Sequence, residues 1–334
     1  MTLPVLKVHM RERVPGIGVV VNPKSGRNRH DPRATSRLAQ RLGDHGVVRE
    51  AGSIEELSRI AEDFKRIGIE VLAISGGDGT NHVTLTGFLE VYDGATLPHV
   101  ALLRAGTMNT LATSVGVRRG RPEELLDRLV RRYSERSDRP LAFVERHVMS
   151  IAPRQGGRMQ RGFLFGTGVV AGFLAEYYRA GNQTPLVAAR TLSLAIGSAL
   201  VHGRAIRRMA APFCGSVDLD EGPRWGQRSY LTVTAGTIAD IGLGFKPFYR
   251  YGEQPSSFHI LGVHASALSV VRELPRLRRG QAMRSGIAFE ALSHRAVVRS
   301  SQAPFSYMID GDLYETSDEL EVVIGPRVKL VAAP

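Results

Sequence analysis

The stretch IEVLAISGGDGT, Ile69–Thr80, runs a continuous apolar segment straight into three glycines around an aspartate. A short unbroken apolar run ended by glycine reads as a strand buried on both faces. A helix expected over Thr80–Val91 would start on that loop, giving a strand–loop–helix unit. Similar units flank it. IGVVVNP, Ile17–Pro23, is a strand ended by turn residues, with helical spacing over Pro32–Leu42. HVALLR, His99–Arg104, is a further strand, and Val47–Ala51 a weaker one. Ser53 is a plausible N-cap, with Glu56 three residues on to close a capping box. Alternation of this kind predicts a mostly parallel, doubly wound sheet.

The pattern changes near Asp138–Pro140. Beyond it, LAFVERHVMSI, GFLFGTG, SYLTVTAG, FHILGV, IAFEAL and RAVVRS read as strands between Gly, Pro and Ser clusters. Helical insertions are expected near Val169–Arg179, Pro185–Val201 and Ala265–Gln281. The reading is therefore α/β with two domains: residues 1–140, and a β-rich sandwich over 141–334. Roughly the last 15–20 residues are free to return to the first domain.

The 334 residues carry a formal net charge of +12, spread over both halves, which suits nucleic acid, anionic lipid or nucleotides alike. No zinc-finger spacing or basic-aromatic motif supports nucleic acid. The single cysteine, Cys214, read as a core residue, excludes an intramolecular disulfide framework and fits a reducing, cytoplasmic compartment. No secretory signal is read at the start, and no apolar run approaches the roughly 18 residues of a membrane span.

Three turns follow strands: Asn22–Gly26, Gly76–Thr80 and Gly106–Asn109. In a parallel sheet they gather on one edge, where open α/β folds bind ligands. Glycines let the backbone approach phosphate oxygens, and N–H concavities attract anions. Any one such turn is also an ordinary tight connection; the three together argue for a phosphate site.

VVVNPKSGR, ISGGDGT and RAGTMNTLA, in that order, resemble the catalytic domain of the diacylglycerol, sphingosine and ceramide kinase family, and MIDGDLYE resembles its Asp-Gly-Glu segment. The likeness runs from about Gly16 to Ala333. GGDGT alone is shared with NAD kinases and phosphofructokinases, whose first-domain fold this resembles; the NPxSG start and the long β-rich half favour the lipid kinases. The resemblance implies ATP and Mg²⁺ in the cleft between two domains, with transfer of the γ-phosphoryl group to a lipid hydroxyl. It places Asn22, Ser25, Gly26, Gly76, Gly77, Asp78, Gly79, Thr80, Gly106, Thr107 and Asn109 around the nucleotide. It offers two candidates for the base, Asp312 and Asp78. Asp312 is preferred, with Asp78 organising nucleotide and Mg²⁺ and Asp310 in support. Asp310–Gly311 also reads as a plain hairpin turn.

The sequence departs from that family at several points. Arg104 stands where proline is usual, His82 and Val83 where Asn and Glu are common, and Thr110 where Asp is frequent. Asp312 is one methylene shorter than Glu. Lys246–Glu253 lacks the acidic pair of the accessory Mg²⁺ loop, so no such site is expected. Gly166–Ala171 matches a dinucleotide fingerprint without the acidic ribose partner, and reads as tight packing or a rim of the lipid pocket.

The apolar helix followed by Arg204, Arg207 and Arg208, and the cluster Arg272, Arg276, Arg278 and Arg279, suit peripheral contact with an anionic membrane; a packed helix with a solvated basic end is the bland alternative. The oligomeric state stays open, a homodimer included. Two other functions compete: a kinase of a soluble acceptor, and a non-catalytic nucleotide- or lipid-binding regulator.

Overall fold

The computed structural model describes residues 16–332, apart from residues 94, 137–139, 182–183, 201–202, 204–205, 207–208 and 210. Arg204, Arg207 and Arg208, and Asp138 at the expected domain border, lie outside the described residues.

The first half follows its periodicity. β1 (Ile17–Val21), α1 (Ala34–Leu42), β2 (Gly46–Glu50), α2 (Ile54–Ile67), β3 (Val71–Ser75), α3 (Asp78–Tyr92) and β4 (His99–Leu102) alternate. The strands pair in parallel, in the order β2-β1-β3-β4. Every residue of β1 and β3 is buried, as a sheet covered on both faces requires. Ser53 caps α2 through the expected capping box, its hydroxyl accepting from Glu56 N at 3.2 Å.

Two features differ from expectation. α3 begins at Asp78, not Thr80, because Gly77 is its N-cap. The helices α4 (Thr110–Ser114) and α5 (Pro122–Ser134) are additional. In α5, Pro122 opens the first turn and Leu125, Leu126, Leu129 and Tyr133 are buried, a helical spacing hidden among arginines.

The second half contains β5 (Phe143–Pro153), β6 (Gln160–Gly162), β7 (Leu164–Thr167), α6 (Val169–Arg179) and α7 (Pro185–Leu200). β8 (Phe213–Leu219), β9 (Trp225–Tyr230), β10 (Thr232–Gly236), β11 (Phe258–Val263) and α8 (Ala267–Arg278) follow. The chain then runs through β12 (Ala288–Ser293), β13 (Arg295–Ser300), β14 (Phe305–Ile309), β15 (Asp312–Thr316) and β16 (Leu320–Val331). The β-rich half with helical insertions is thus present, but SYLTVTAG is split between β9 and β10, and β8 and β16 were not anticipated.

One sheet, β12-β11-β10-β7-β14-β15, is antiparallel. It packs on strands of the other sheet as a sandwich. Phe165, Val233, Ile260 and Tyr307 meet Met149, Phe213, Val298 and Leu320 in one core. Cys214 is only half-buried, because strand alternation turns Phe213 inward instead. β16 joins the two halves: it pairs antiparallel with β5 and β13, and in parallel with β4 at Leu330 and Val100.

Candidate active site

The three glycine turns meet backbone to backbone. A Cβ on Gly26 would fall 2.7 Å from the Ala105 carbonyl oxygen, and one on Gly77 would fall 3.0 Å from Gly106 Cα. A Cβ on Gly106 would collide with Gly77 Cα. Backbone bonds tie the turns together: Arg27 N donates to Ala105 O at 3.0 Å, and Gly106 N to Gly76 O at 2.9 Å. Asn22 Nδ2 donates to Thr80 Oγ1 at 2.9 Å, while Ser25 Oγ donates to the Asn22 carbonyl at 3.0 Å. Asn28, which the sequence did not single out, is buried and donates to the carbonyls of Asn22 and Ser75, both at 3.0 Å. Nothing in local pattern marks that residue as a tie between strands, because Ser75 lies at the end of β3.

Asp78 is the first residue of α3 and reaches across to α4. Its Oδ2 accepts from Thr110 N at 2.9 Å, and its Oδ1 from Leu111 N at 3.0 Å. It therefore satisfies amides at a helix N-terminus that would otherwise lack partners. Burial pushes its carboxyl pKa up, against these two bonds. Asn109, with φ 50°, closes the third turn: Oδ1 accepts from Gly106 N at 3.2 Å and Nδ2 donates to Gly106 O at 2.6 Å. Both amide groups thus serve the turn itself. Arg104 has φ 48°, and its guanidinium donates to Val117 O at 2.9 Å and Thr113 Oγ1 at 3.1 Å.

Asp310 and Gly311 form the two-residue loop of the β14–β15 hairpin, with φ of 45° and 96°. Both positive values suit the tight turn that Asp-Gly favours. The buried Asp310 carboxylate accepts from Phe163 N and from Leu164 N, at 2.7 Å from the latter. Burial first, and the charge of Asp78 next among the raising effects, hold its pKa well above the usual range. Tyr178 donates from its hydroxyl to the Gly311 carbonyl. Asp312 thereby stands over the start of α3, where a Cβ on Gly79 would lie 2.6 Å from its Oδ1. Burial and the nearby Asp78 charge raise the Asp312 pKa to about 6. A carboxyl poised there is mostly ionised at neutral pH yet basic enough to take a proton.

His82, a departure from the family pattern, links the two halves. Its Nδ1 lies 2.6 Å from the Arg161 carbonyl, and its Nε2 lies 2.7 Å from the Tyr314 hydroxyl. A carbonyl only accepts, so Nδ1 carries the hydrogen and Nε2 accepts from Tyr314. The imidazole is fully buried, and burial lowers its pKa to about 4, so it is neutral at pH 7. Tyr314 is two residues along β15 from Asp312, so the His82 bond sets that strand against α3.

A cavity of about 570 Å³ runs from these turns into the second half. Asn22, Ser25, Gly26, Gly77, Asp78, Gly79, Thr80, Gly106 and Thr107 border one end; Asp310 and Asp312 also line it. Beyond them the wall is apolar, built by α6, α7, α8 and the six-stranded sheet; Phe173, Leu192, Ile196, Val271 and Leu274 are among its residues. The Gly166–Ala171 segment is tight packing: a Cβ on Gly168 would strike the Leu231 carbonyl. Val169 and Val170 line the apolar chamber.

Among the described residues, no three His, Cys, Asp or Glu side chains form a metal cage. Mg²⁺ does not require one, since it binds through one or two carboxylates together with substrate phosphates. Asp78, at the glycine end of the cavity, fits that role.

Residues 16–139 match the family model described as the diacylglycerol kinase catalytic domain. Over 102 residues the chain is 31% identical to the probable lipid kinase YegS of Salmonella arizonae, and likewise to that of Salmonella heidelberg. The alignment takes in 30% of this chain and 32% of each Salmonella protein, so the chain spans about a third of the length of the curated relatives it matches. In structure, 96% of the chain overlays 97% of a diacylglycerol kinase from Bacillus anthracis, with a TM-score of 0.62 and 13% identity. A second structure from that organism overlays with a TM-score of 0.67 at 15% identity, covering 96% and 98%. At such identities the likeness is one of fold.

Proposed function

We propose, from the match of residues 16–139 to the diacylglycerol kinase catalytic-domain model and from the fold shared with a solved diacylglycerol kinase, that the chain is an ATP-dependent lipid kinase. One observation carries this reading: a single cavity joins the glycine turns, through Asp312, to an apolar chamber. Residues up to about 140 hold the nucleotide in this reading, and the β-rich half holds the acceptor. The chamber suits an alkyl chain, and in this reading the acceptor hydroxyl lies at its junction with the turns, beside Asp312. A soluble dinucleotide acceptor has no use for so apolar a wall.

Asp312 takes the proton of the acceptor hydroxyl as its oxygen bonds to the γ-phosphorus of ATP. The bond from that phosphorus to the β–γ bridging oxygen breaks, and ADP leaves. The glycine turns supply close backbone amides and bring the reactants into line, which is most of what phosphoryl transfer asks of a protein. Mg²⁺, when bound with the nucleotide, neutralises phosphate charge. Asp78 holds α3 and α4 together at the phosphate end, and Asp310 holds the hairpin that presents Asp312.

The acceptor is a lipid such as diacylglycerol or a long-chain base, and the protein is cytoplasmic and works at an anionic membrane surface. No helix among the described residues is long and apolar enough to cross a membrane. Transfer of labelled γ-phosphate from ATP to a panel of lipids and NAD tests the reading. Label is expected in a lipid; label in NAD, or in nothing while ATP is bound, would refute it.

A further inference from the structure

α7 turns one apolar face to the chamber and exposes leucines on the opposite face. Its 16 residues include no Asp, Glu or Lys and one charged side chain, Arg190. Ala188, Leu192, Ala195 and Ile196 line the chamber. Leu186, Leu194 and Leu200 point away from it and are 78%, 57% and 57% exposed. Leu186, Arg190, Ser193, Leu194 and Gly197 are all exposed and follow helical spacing, so the outer stripe carries leucines with one arginine among them. Exposed leucines flanking an arginine are the pattern of a helix that lies in a membrane interface.

α8 packs on α7 and exposes Arg272, Arg278 and Arg279. Among the described residues none of these three has a carboxylate partner. The one acidic residue of α8, Glu273, is buried between Arg276 and Arg284. Arg278 lies over the ring of Phe245, itself a wall of the chamber, 5.1 Å from its centroid. Positive charge without a carboxylate partner therefore lies on the helix packed against α7, and Arg190 adds another on the outer stripe of α7 itself.

Charge selects the occupant of this face. In a two-fold pairing of α7 and α8 with a second copy, arginine would approach arginine without an accessible carboxylate on either helix. A bilayer containing anionic lipid offers hydrocarbon to the leucines and phosphate oxygens to the guanidinium groups.

We propose that α7 and α8 form a membrane-docking face, with Leu186, Leu194 and Leu200 in the acyl boundary of an anionic bilayer and Arg272, Arg278 and Arg279 against its phosphates. The wall of the chamber then rests on the leaflet itself. The use of this face to deliver an acceptor rests on the lipid kinase reading; the docking does not.

The test uses the full chain with vesicles of phosphatidylcholine, with and without phosphatidylglycerol. Leu194→Trp places a reporter on the outer face, while the native Trp225 is buried. Its emission is expected to shift to the blue on vesicles containing phosphatidylglycerol, less so as salt rises. Leu186→Glu combined with Leu194→Glu is expected to weaken sedimentation with those vesicles at least tenfold, with the thermal melt unchanged. Arg272→Ala and Arg279→Ala are each expected to weaken it ~5-fold at low salt. An unshifted emission, or a double glutamate variant that binds like the wild type, overturns the proposal. So does a concentration-dependent dimer that Leu186→Glu abolishes, since it assigns the face to a second copy. Docking without transfer to any lipid would sink the kinase reading alone; transfer to lipid in detergent micelles without docking would sink the docking face alone.

Discussion

The Asp312 carboxylate lies against Gly79: a β-carbon at residue 79 would stand 2.6 Å from Oδ1 and 2.9 Å from Oδ2. The contact joins the hairpin of one half to the first turn of α3 in the other. The glycine at this place in the loop is thus needed for room for a side chain from far along the chain, in addition to any approach of phosphate.

Gly79→Ala should displace Asp312 by an ångström or so while leaving α3 intact. Misplacement of a reacting group on that scale lowers turnover by roughly 100-fold. Nucleotide affinity and the far-ultraviolet dichroism should change little. Turnover within about threefold of wild type would show that this contact does not position the base.

On the proposal that Asp312 is the base, its pKa of about 6 implies that kcat/KM rises with pH through that value and levels off above pH 7, because a base acts when ionised. Asp312→Asn should abolish the rise together with most of the turnover. Stability moves the other way. A carboxyl whose folded pKa is raised favours the folded state below the unfolded value, and that contribution is lost as pH rises through the folded value. Asp312→Asn should therefore be more stable than wild type at pH 8, by about 2 kcal/mol, and equal to it near pH 4. Urea unfolding at the two pH values measures both. A wild type as stable as the variant at pH 8 would contradict the assigned environment.

His82→Phe leaves the Arg161 carbonyl and the Tyr314 hydroxyl without their partner, a loss of about 1–3 kcal/mol. Tyr314→Phe should cost about 1–2 kcal/mol, and the double variant less than the sum. The folded pKa of His82 is depressed to about 4, so the unfolded chain takes up a proton first as pH falls below its ordinary value. Wild type then loses about 2 kcal/mol between pH 7 and pH 5, and the deficit of His82→Phe narrows. Strict additivity of the two single variants would argue against the bond.

Arg104 stands where proline is usual in the resembling family, yet its φ of 48° is one that proline cannot adopt. Arg104→Pro should destabilise the protein by more than about 1 kcal/mol. Arg104→Gly relieves the backbone while losing two guanidinium bonds, and should lie nearer to wild type. Thermal melts of the pair decide; equal stability of the two variants would show that residue 104 adapts its backbone.

The glycine turns were legible because each sits at the end of a strand that periodicity marks, and a parallel sheet brings such ends to one edge. The hairpin at Asp310–Gly311 was legible as a turn from its own two residues. That it is also the mount for Asp312 depends on Phe163 and Leu164 donating to Asp310, a pairing no local pattern records. His82 escaped for the same reason, and so did the bond from Asn28 to Ser75: these partners lie on other elements. α5 was obscured because its apolar positions are separated by arginines. β16 has a weak alternation, since it contacts two different environments along its length.

β16 has a kinetic consequence. Until Leu320–Val331 is in place, β4 has no neighbour on one side, and β5 and β13 have no strand between them. Pairings of such long sequence separation close late and slowly. The growing or refolding chain therefore carries an unfinished edge, open to pairing with another chain, for most of its time as an intermediate. Once the strand is inserted the two halves share one hydrogen-bonded ladder, and unfolding of either must break the bonds that hold the other.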